Sequence, residues 1–369
     1  MREQMTAEFI ELVQAIFDPR NEGIVGPRWR RWFSLLCDAV AAYFGSDATL
    51  LHLLAVASDP ALVKKLALRV AKTDRDLGLR LHNEVGSLSG DEASNLPAWA
   101  ISKFQPLVGQ RRMREILGRP RDAVDVTRLI DEGGTLLVDL AGSALGTGSA
   151  RMLGSLWLLK HWVAMGRRAD QSRPHVIIVD EAHLMTFGAL PAMLAEARKF
   201  GIGVVVVSQS IESLSPALQS AIEANVGTFF SYRLGLNTAG RASARFEGWP
   251  AQELVRLPDL RAATTLTRGG LQTEPFLLTT TRPAIDDADA YAQAAAVDAR
   301  CAATWSSLAG QTVSDADVAS ALASPQTPRP EATVSVPSDT GRPSFLQDWL
   351  TARVSHSAGH DSPVDSSSH

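Results

Sequence analysis

Only two cysteines, Cys37 and Cys301, occur in the 369 residues, and they lie far apart. That is too few for a disulfide framework or a cysteine zinc site, and it suits two inert thiols in a reducing compartment. No stretch approaches the ~20 consecutive apolar residues that a bilayer-spanning helix needs. No N-terminal segment has the basic, apolar and small-residue order of a secretory signal. The expectation is a cytoplasmic chain that other proteins could recruit to the inner face of a membrane. A charge excess is also missing, since 36 Lys and Arg against 40 Asp and Glu leave −4. This excludes a generally basic nucleic-acid coat and leaves room for a local basic face. Neither a dinucleotide fingerprint nor a nucleophile elbow occurs, which weighs against a metabolic α/β enzyme. No Gly-x-x-x-x-Gly-Lys-Ser/Thr phosphate loop occurs either.

What is present is globular, with 45% apolar and 21% charged residues, and its length suits about two or three domains. Residues 4–17 read as a helix that ends at Asp18-Pro19. Residues 28–117 read as helix throughout, with Trp29, Trp32, Phe33, Leu36 and Val40 at helical spacing. Ser58-Asp59-Pro60 is a helix start, with Pro where its missing N–H costs little. From Ala61 to Arg121, 12 basic residues face 6 acidic ones, and Arg111, Arg112, Arg114, Arg119 and Arg121 cluster at the end. That cluster reads either as a solvated helical face or as a phosphate-binding surface.

Beyond Arg121 the pattern changes. The short apolar runs 135–140, 176–179, 204–207 and 228–234 read as strands. Helices are expected at 152–165, 190–200, 214–224 and 239–246, with Gly201 ending the second. Residues 263–267 and 276–280 suggest a hairpin around Gly269-Gly270. Strands alternating with helices predict a parallel α/β sheet covered on both faces. Residues 286–323 form an alanine-rich helical tail. Residues 325–369, rich in Pro and Ser, read as mostly disordered. Within them Phe345, Leu346, Trp349 and Leu350 make either one short docking helix or none.

The sharpest chemical signal is Val176-Ile177-Ile178-Val179-Asp180-Glu181-Ala182-His183. Four β-branched residues lead into two carboxylates at a strand end. Phosphoryl transfer needs two such groups, one to hold Mg²⁺ and one to polarise the attacking water. The carboxyl edge of a parallel sheet is where ligands bind in such folds. A second apolar strand ends in Ser208-Gln209-Ser210, where Gln209 can hydrogen-bond a γ-phosphate or the water. His183 reads as a structural residue. The stretch 142–149 is glycine-rich and lies between a strand and a helix, as a phosphate cradle would, but it lacks the Lys.

Taken in order, VDEAH, EARKFGIGVVVVSQS and IEANVGTFFSYRL resemble the DNA-translocating ATPases of the HerA/FtsK branch. The nearest in pattern are the VirD4/TraD/TraG-like and VirB4-like ATPases of conjugation and type IV secretion. GIVGPR at 23–28 resembles the start of their helical insertion, and residues 136–156 resemble the return to the core. The resemblance covers about 5–283. It implies a RecA-like P-loop NTPase core without its phosphate-loop strand, an N-terminal all-α domain and a disordered C-terminal tail. The implied boundaries are 1–26 lead-in, 27–121 helical insertion, 122–283 core, 284–324 helical tail and 325–369 disordered tail.

The resemblance also assigns roles. Glu181 becomes the catalytic base, and Asp180 the Mg²⁺ and nucleotide carboxylate. Gln209 becomes the sensor, with Ser208 beside it as a nucleotide contact. Arg198 is either an arginine finger for a neighbouring subunit or a helix-end arginine serving the dipole. Arg233, Arg241 and Arg245 are secondary candidates. The implied cofactors are ATP and Mg²⁺. The implied partners are DNA or nucleoprotein, a homo-oligomeric ring (a hexamer) or an intact homologous ATPase, and membrane-bound secretion components. Two functions follow. One is a component of a DNA-transfer motor, the C-terminal part of a longer or split ATPase and inactive alone. The other is a degenerate adaptor that docks on an intact ATPase and recruits substrate. In the relatives the phosphate-loop strand lies centrally, so its absence predicts exposed edges and apolar faces.

Overall fold

The computed structural model describes residues 2–18, 22–23, 25–88, 90–120, 124–140, 145–168, 171–185, 189–281, 287–307 and 311–324. Seven helices come first: α1 Arg2–Phe17, α2 Pro27–Phe44, α3 Leu50–Ser58, α4 Pro60–Val70, α5 Arg75–Gly86, α6 Asp91–Val108 and α7 Arg111–Leu117. Their starts follow local chemistry. Pro60 opens α4 behind Asp59, whose carboxylate accepts the Ala61 N–H at 2.8 Å. Asp74 caps α5 through the Leu77 N–H at 3.0 Å. The stripe Trp29, Trp32, Phe33, Leu36 and Val40 is the buried face of α2. Phe33 stacks on Trp29 and Phe104 at centroid distances of 4.6 and 5.7 Å, so aromatic packing joins α2 to α6. Both cysteines are free, and burial pushes the Cys37 thiol well above its ordinary range.

Then come α8 Val126–Glu132, α9 Thr147–Met165, β1 His175–Val179, α10 Leu190–Glu196, β2 Ile202–Val206, α11 Pro216–Asn225, β3 Phe229–Ser231, α12 Leu236–Ala242 and α13 Ala251–Val255. The strands β4 Arg261–Thr265, β5 Thr267–Arg268, β6 Leu271–Gln272 and β7 Phe276–Thr279 follow, then α14 Asp287–Ser307 and α15 Asp315–Ala323. A Ser314–Asp317 capping box starts α15. The helix rests on α3 and α4, with the Tyr43 hydroxyl of α2 donating to Ala321 O at 3.0 Å and Arg69 Nε of α4 donating to Leu322 O at 3.3 Å.

The sheets differ from the sequence expectation in three ways. β1 and β2 form a two-stranded parallel sheet, with Ile177 opposite Val204 and Val179 opposite Val206. β3 belongs instead to an antiparallel β3-β4-β7 sheet, because Phe230 pairs with Thr264 and β4 satisfies its backbone. Residues 135–140 form no strand: no described strand pairs with them, and Leu137 is 80% exposed. The β1–β2 sheet is also covered on one face only. Ile177, Val179 and Ile202 pack against Ile130, Leu158, Met165, Leu190, Met193 and Leu218. On the other face Val176, Ile178, Val205 and Val207 are exposed. The hairpin between β4 and β7 contains β5 and β6, with Gly269 and Gly270 at φ +60° and +83°, the signs a two-residue type I′ turn requires. The C-terminal stretch from 325, with Phe345 to Leu350, lies outside the described residues.

One buried cation fixes the base of the parallel sheet. The fully buried Arg168 guanidinium, just past α9, donates to the carbonyls of Phe200 and Arg173, both at 2.5 Å, and lies 3.6 Å from Asp131. It thereby ties the turn before β2 to the end of α8.

Candidate functional site

Backbone geometry places the two strand ends side by side. The Val207 N–H donates to Val179 O, and the Ala182 N–H donates to Val207 O, both at 2.9 Å. The turn after β1 is thus fastened to the end of β2. Glu181, inside that turn, has φ +47° and ψ +46°. An L-residue in this left-handed conformation costs roughly 1–2 kcal/mol, and such outliers cluster at functional sites. The turn aims the Glu181 carboxylate toward β2.

There Gln209 Nε2 donates to Glu181 Oε1 at 2.6 Å. His183 Nδ1 lies 3.1 Å from Glu181 Oε2. Asp180 is exposed and accepts the Glu181 N–H at 2.9 Å. Ser208 Oγ donates to Ser210 O at 3.0 Å. Of the residues singled out from sequence, Asp180, Glu181, Ser208 and Gln209 therefore share one strand-end cluster. His183 joins them as a direct neighbour of Glu181, a contact that spacing alone did not give.

Arg198 does not join them. It stands exposed on the turn 197–200, before β2, whereas Gln209 follows β2 at its other end. Five strand residues at about 3.3 Å each put those ends roughly 16 Å apart. Within one chain Arg198 cannot reach Glu181. Arg245 is structural: it bonds the carbonyls of Ile222 and Val226 at the end of α11 and lies 4.9 Å over the Phe229 ring. Arg233 pairs with Asp259 at 2.7 Å, and Arg241 donates to Gln219 at 3.0 Å. In the basic cluster, Arg111 is paired with Glu115 at 2.9 Å.

Sequence reading also missed Glu212. It accepts from Ser210 Oγ at 2.5 Å and from Thr238 Oγ1 at 2.8 Å. These bonds hold the Glu212 carboxyl below the usual carboxylate range. They brace the loop carrying Gln209 against α12. Ser-x-Glu after a strand was the only signal, and Thr238 lies 26 residues away.

The edge of β2 is open. Residues 201 and 207 direct their backbone bonds to the β1 side. Backbone groups alternate along a parallel strand, so Ile202, Val204 and Val206 face the other way. No described strand pairs with β2 there.

No protein-family model and no curated protein matches the sequence. Solved structures do. The plasmid coupling protein TrwB with ADP and Mg²⁺ aligns over 76% of this chain and 70% of its own, at 16% identity and a TM-score of 0.53. TrwB with a non-hydrolysable GTP analogue gives 16% identity and 0.51, over 76% and 72%. This chain has a TrwB-like fold. VirB4 of Thermoanaerobacter pseudethanolicus, 14% identical over 76% and 69%, reaches only 0.39 and adds nothing to that assignment. TrwB itself is seen with ADP and Mg²⁺ in one of these structures and with the GTP analogue in the other.

Proposed function

We propose that this chain supplies the water-activating half of a nucleotide-driven DNA-transfer motor of the conjugation and type IV secretion kind. The observation that carries the reading is the 2.6 Å bond between Gln209 and Glu181 across adjacent parallel strand ends. A carboxylate held beside an amide there can orient and deprotonate an attacking water. The residues present fit one end of a magnesium nucleotide. Asp180 would share Mg²⁺ with the phosphates, as Mg²⁺ sites with one or two carboxylates do. Among the described residues no cluster of three or more His, Cys, Asp or Glu could hold a metal unaided. Nothing in the sequence matches the lysine-bearing glycine loop for the β-phosphate.

In this reading the phosphate loop comes from outside these 369 residues. The unpaired edge of β2 and the uncovered Val176, Ile178, Val205 and Val207 support it, because parallel sheets are normally buried on both faces. Arg198 would act on the site of a neighbouring subunit in a ring. Basic residues of the helical region would meet DNA phosphates.

The test is hydrolysis in a complex with a phosphate-loop-bearing coupling ATPase. Glu181→Gln should lower turnover at least ~100-fold, the usual weight of a general base, while nucleotide is retained. Unchanged turnover would refute the assignment of Glu181. The open sheet also favours a second reading, an adaptor that docks on an intact ATPase. There the variant would leave hydrolysis untouched but DNA recruitment would remain salt-sensitive.

A further inference from the structure

Glu181 has a polar neighbour at each of its two carboxylate oxygens, and only one of them has a role so far. Gln209 holds Oε1. Oε2 faces His183 Nδ1 at 3.1 Å, and both of these atoms are closed to solvent without a hydrogen-bond partner of good geometry. Two buried polar atoms that close satisfy each other or remain costly orphans. A carboxylate can only accept, so a bond between them requires the imidazole to present Nδ1–H. The short helical turn Ala182–Leu184 brings His183 back over the carboxylate, and the Leu184 N–H closes that turn on Glu181 O at 2.8 Å. Glu181 already sits in a strained backbone conformation, so its side-chain direction depends on what holds it.

We propose that His183 is a positioning residue: its Nδ1–H bonds Glu181 Oε2 and, opposite Gln209, fixes the plane of the carboxylate. The consequence for the site is an asymmetry. Gln209 is exposed and can exchange Glu181 for an incoming water or phosphate. His183, with its side chain 30% exposed, stays behind as the fixed support. The base would then be oriented before substrate arrives. The value of this support to hydrolysis rests on the function proposed above. The bond itself does not.

The bond is tested on the full chain, free of nucleotide, with ¹⁵N-histidine labelling at pH 8. The His183 ring, assigned by its disappearance in His183→Asn, should carry its proton on Nδ1. In Glu181→Ala, which removes the acceptor, that proton should move largely to Nε2 while the melting temperature and the other seven histidines stay as they were. A ring tautomer identical in both proteins would overturn the proposal. Labelling the glutamine side chains gives a second reading. His183→Asn keeps an amide donor near the Nδ1 position and should leave the Gln209 amide signal in place. His183→Leu should shift it toward that of a free amide, and equal signals in the two variants would again count against the bond.

With a phosphate-loop-bearing partner, His183→Leu should reduce kcat about tenfold with little change in KM, and His183→Asn should recover most of the loss. If the tautomer responds but no complex hydrolyses nucleotide, the proposed function fails and the clamp stands. If the tautomer does not respond, the clamp fails whatever the hydrolysis.

Discussion

Ile177 and Ile178 are neighbours on one strand, yet the open sheet predicts opposite costs for the same substitution. Ile177 is 8% exposed, in the core beneath α9 and α10, and Ile178 is 68% exposed on the uncovered face. Threonine keeps the β-branched shape, so strand propensity changes little. At position 177 it removes apolar volume and buries a hydroxyl with no arranged partner. Those two losses add to about 3 kcal/mol. At position 178 most of the side chain already meets water, so the cost should stay below about 0.5 kcal/mol, the ordinary range for surface changes. Urea unfolding followed by far-ultraviolet circular dichroism separates the two by their midpoints at equal slope. Equal destabilisation would mean that the face is covered in solution, and the open-sheet account of this chain would be wrong. If the account holds, Ile178→Lys should leave the isolated chain folded but prevent a phosphate-loop-bearing partner from joining it.

Three further outcomes follow from the same structure. At Glu181 the left-handed backbone should make Glu181→Gly more stable than Glu181→Ala by about 1 kcal/mol, the reverse of the usual order within regular elements, as thermal melts of the two variants would show. Arg168→Leu should cost about 3–5 kcal/mol, because Asp131 and two carbonyls lose a buried cation, and a denaturation midpoint near wild type would contradict that. His52 supplies a pH dependence. Burial lowers its pKa from 6.5 to about 4, and Nδ1 accepts the Thr49 N–H at 3.2 Å. The folded state therefore binds this proton later than the unfolded chain does. The stability it supports is present above about 6.5 and is lost as pH falls toward 4. Between pH 7 and pH 5 the wild type should lose about 2 kcal/mol more than His52→Gln, and parallel pH profiles would exclude His52 as the source.

The placement of the strand-end residues was legible because it is local. Asp180-Glu181 and Gln209 each follow a run of β-branched residues, and such runs form strands almost wherever they are placed. The helix start at Pro60 was equally legible, since the capping Asp59 and the Ala61 N–H it accepts lie two residues apart; the start at Ser314 was not, because 286–323 reads as one helical tail. The segment 135–140 shows the limit of that logic. It has strand composition, but a strand is a property of a pair, and no described strand pairs with it. The place of β3 in an antiparallel sheet was hidden for the same reason, because its partner β4 begins some 30 residues later.

The sequence alone determined which residue types stand at the strand ends and where a capped helix such as α4 begins, because those choices depend on neighbours a few positions away. Only the tertiary structure decided that Gln209 and His183 meet the two oxygens of Glu181, that Arg198 stands at the far end of β2, and that one face of the parallel sheet is bare. These depend on strand pairing and on the path of the intervening chain. A left-handed turn at a non-glycine residue and an unpaired strand edge cost free energy that no local pattern records, and both appear only once the backbone is closed around them.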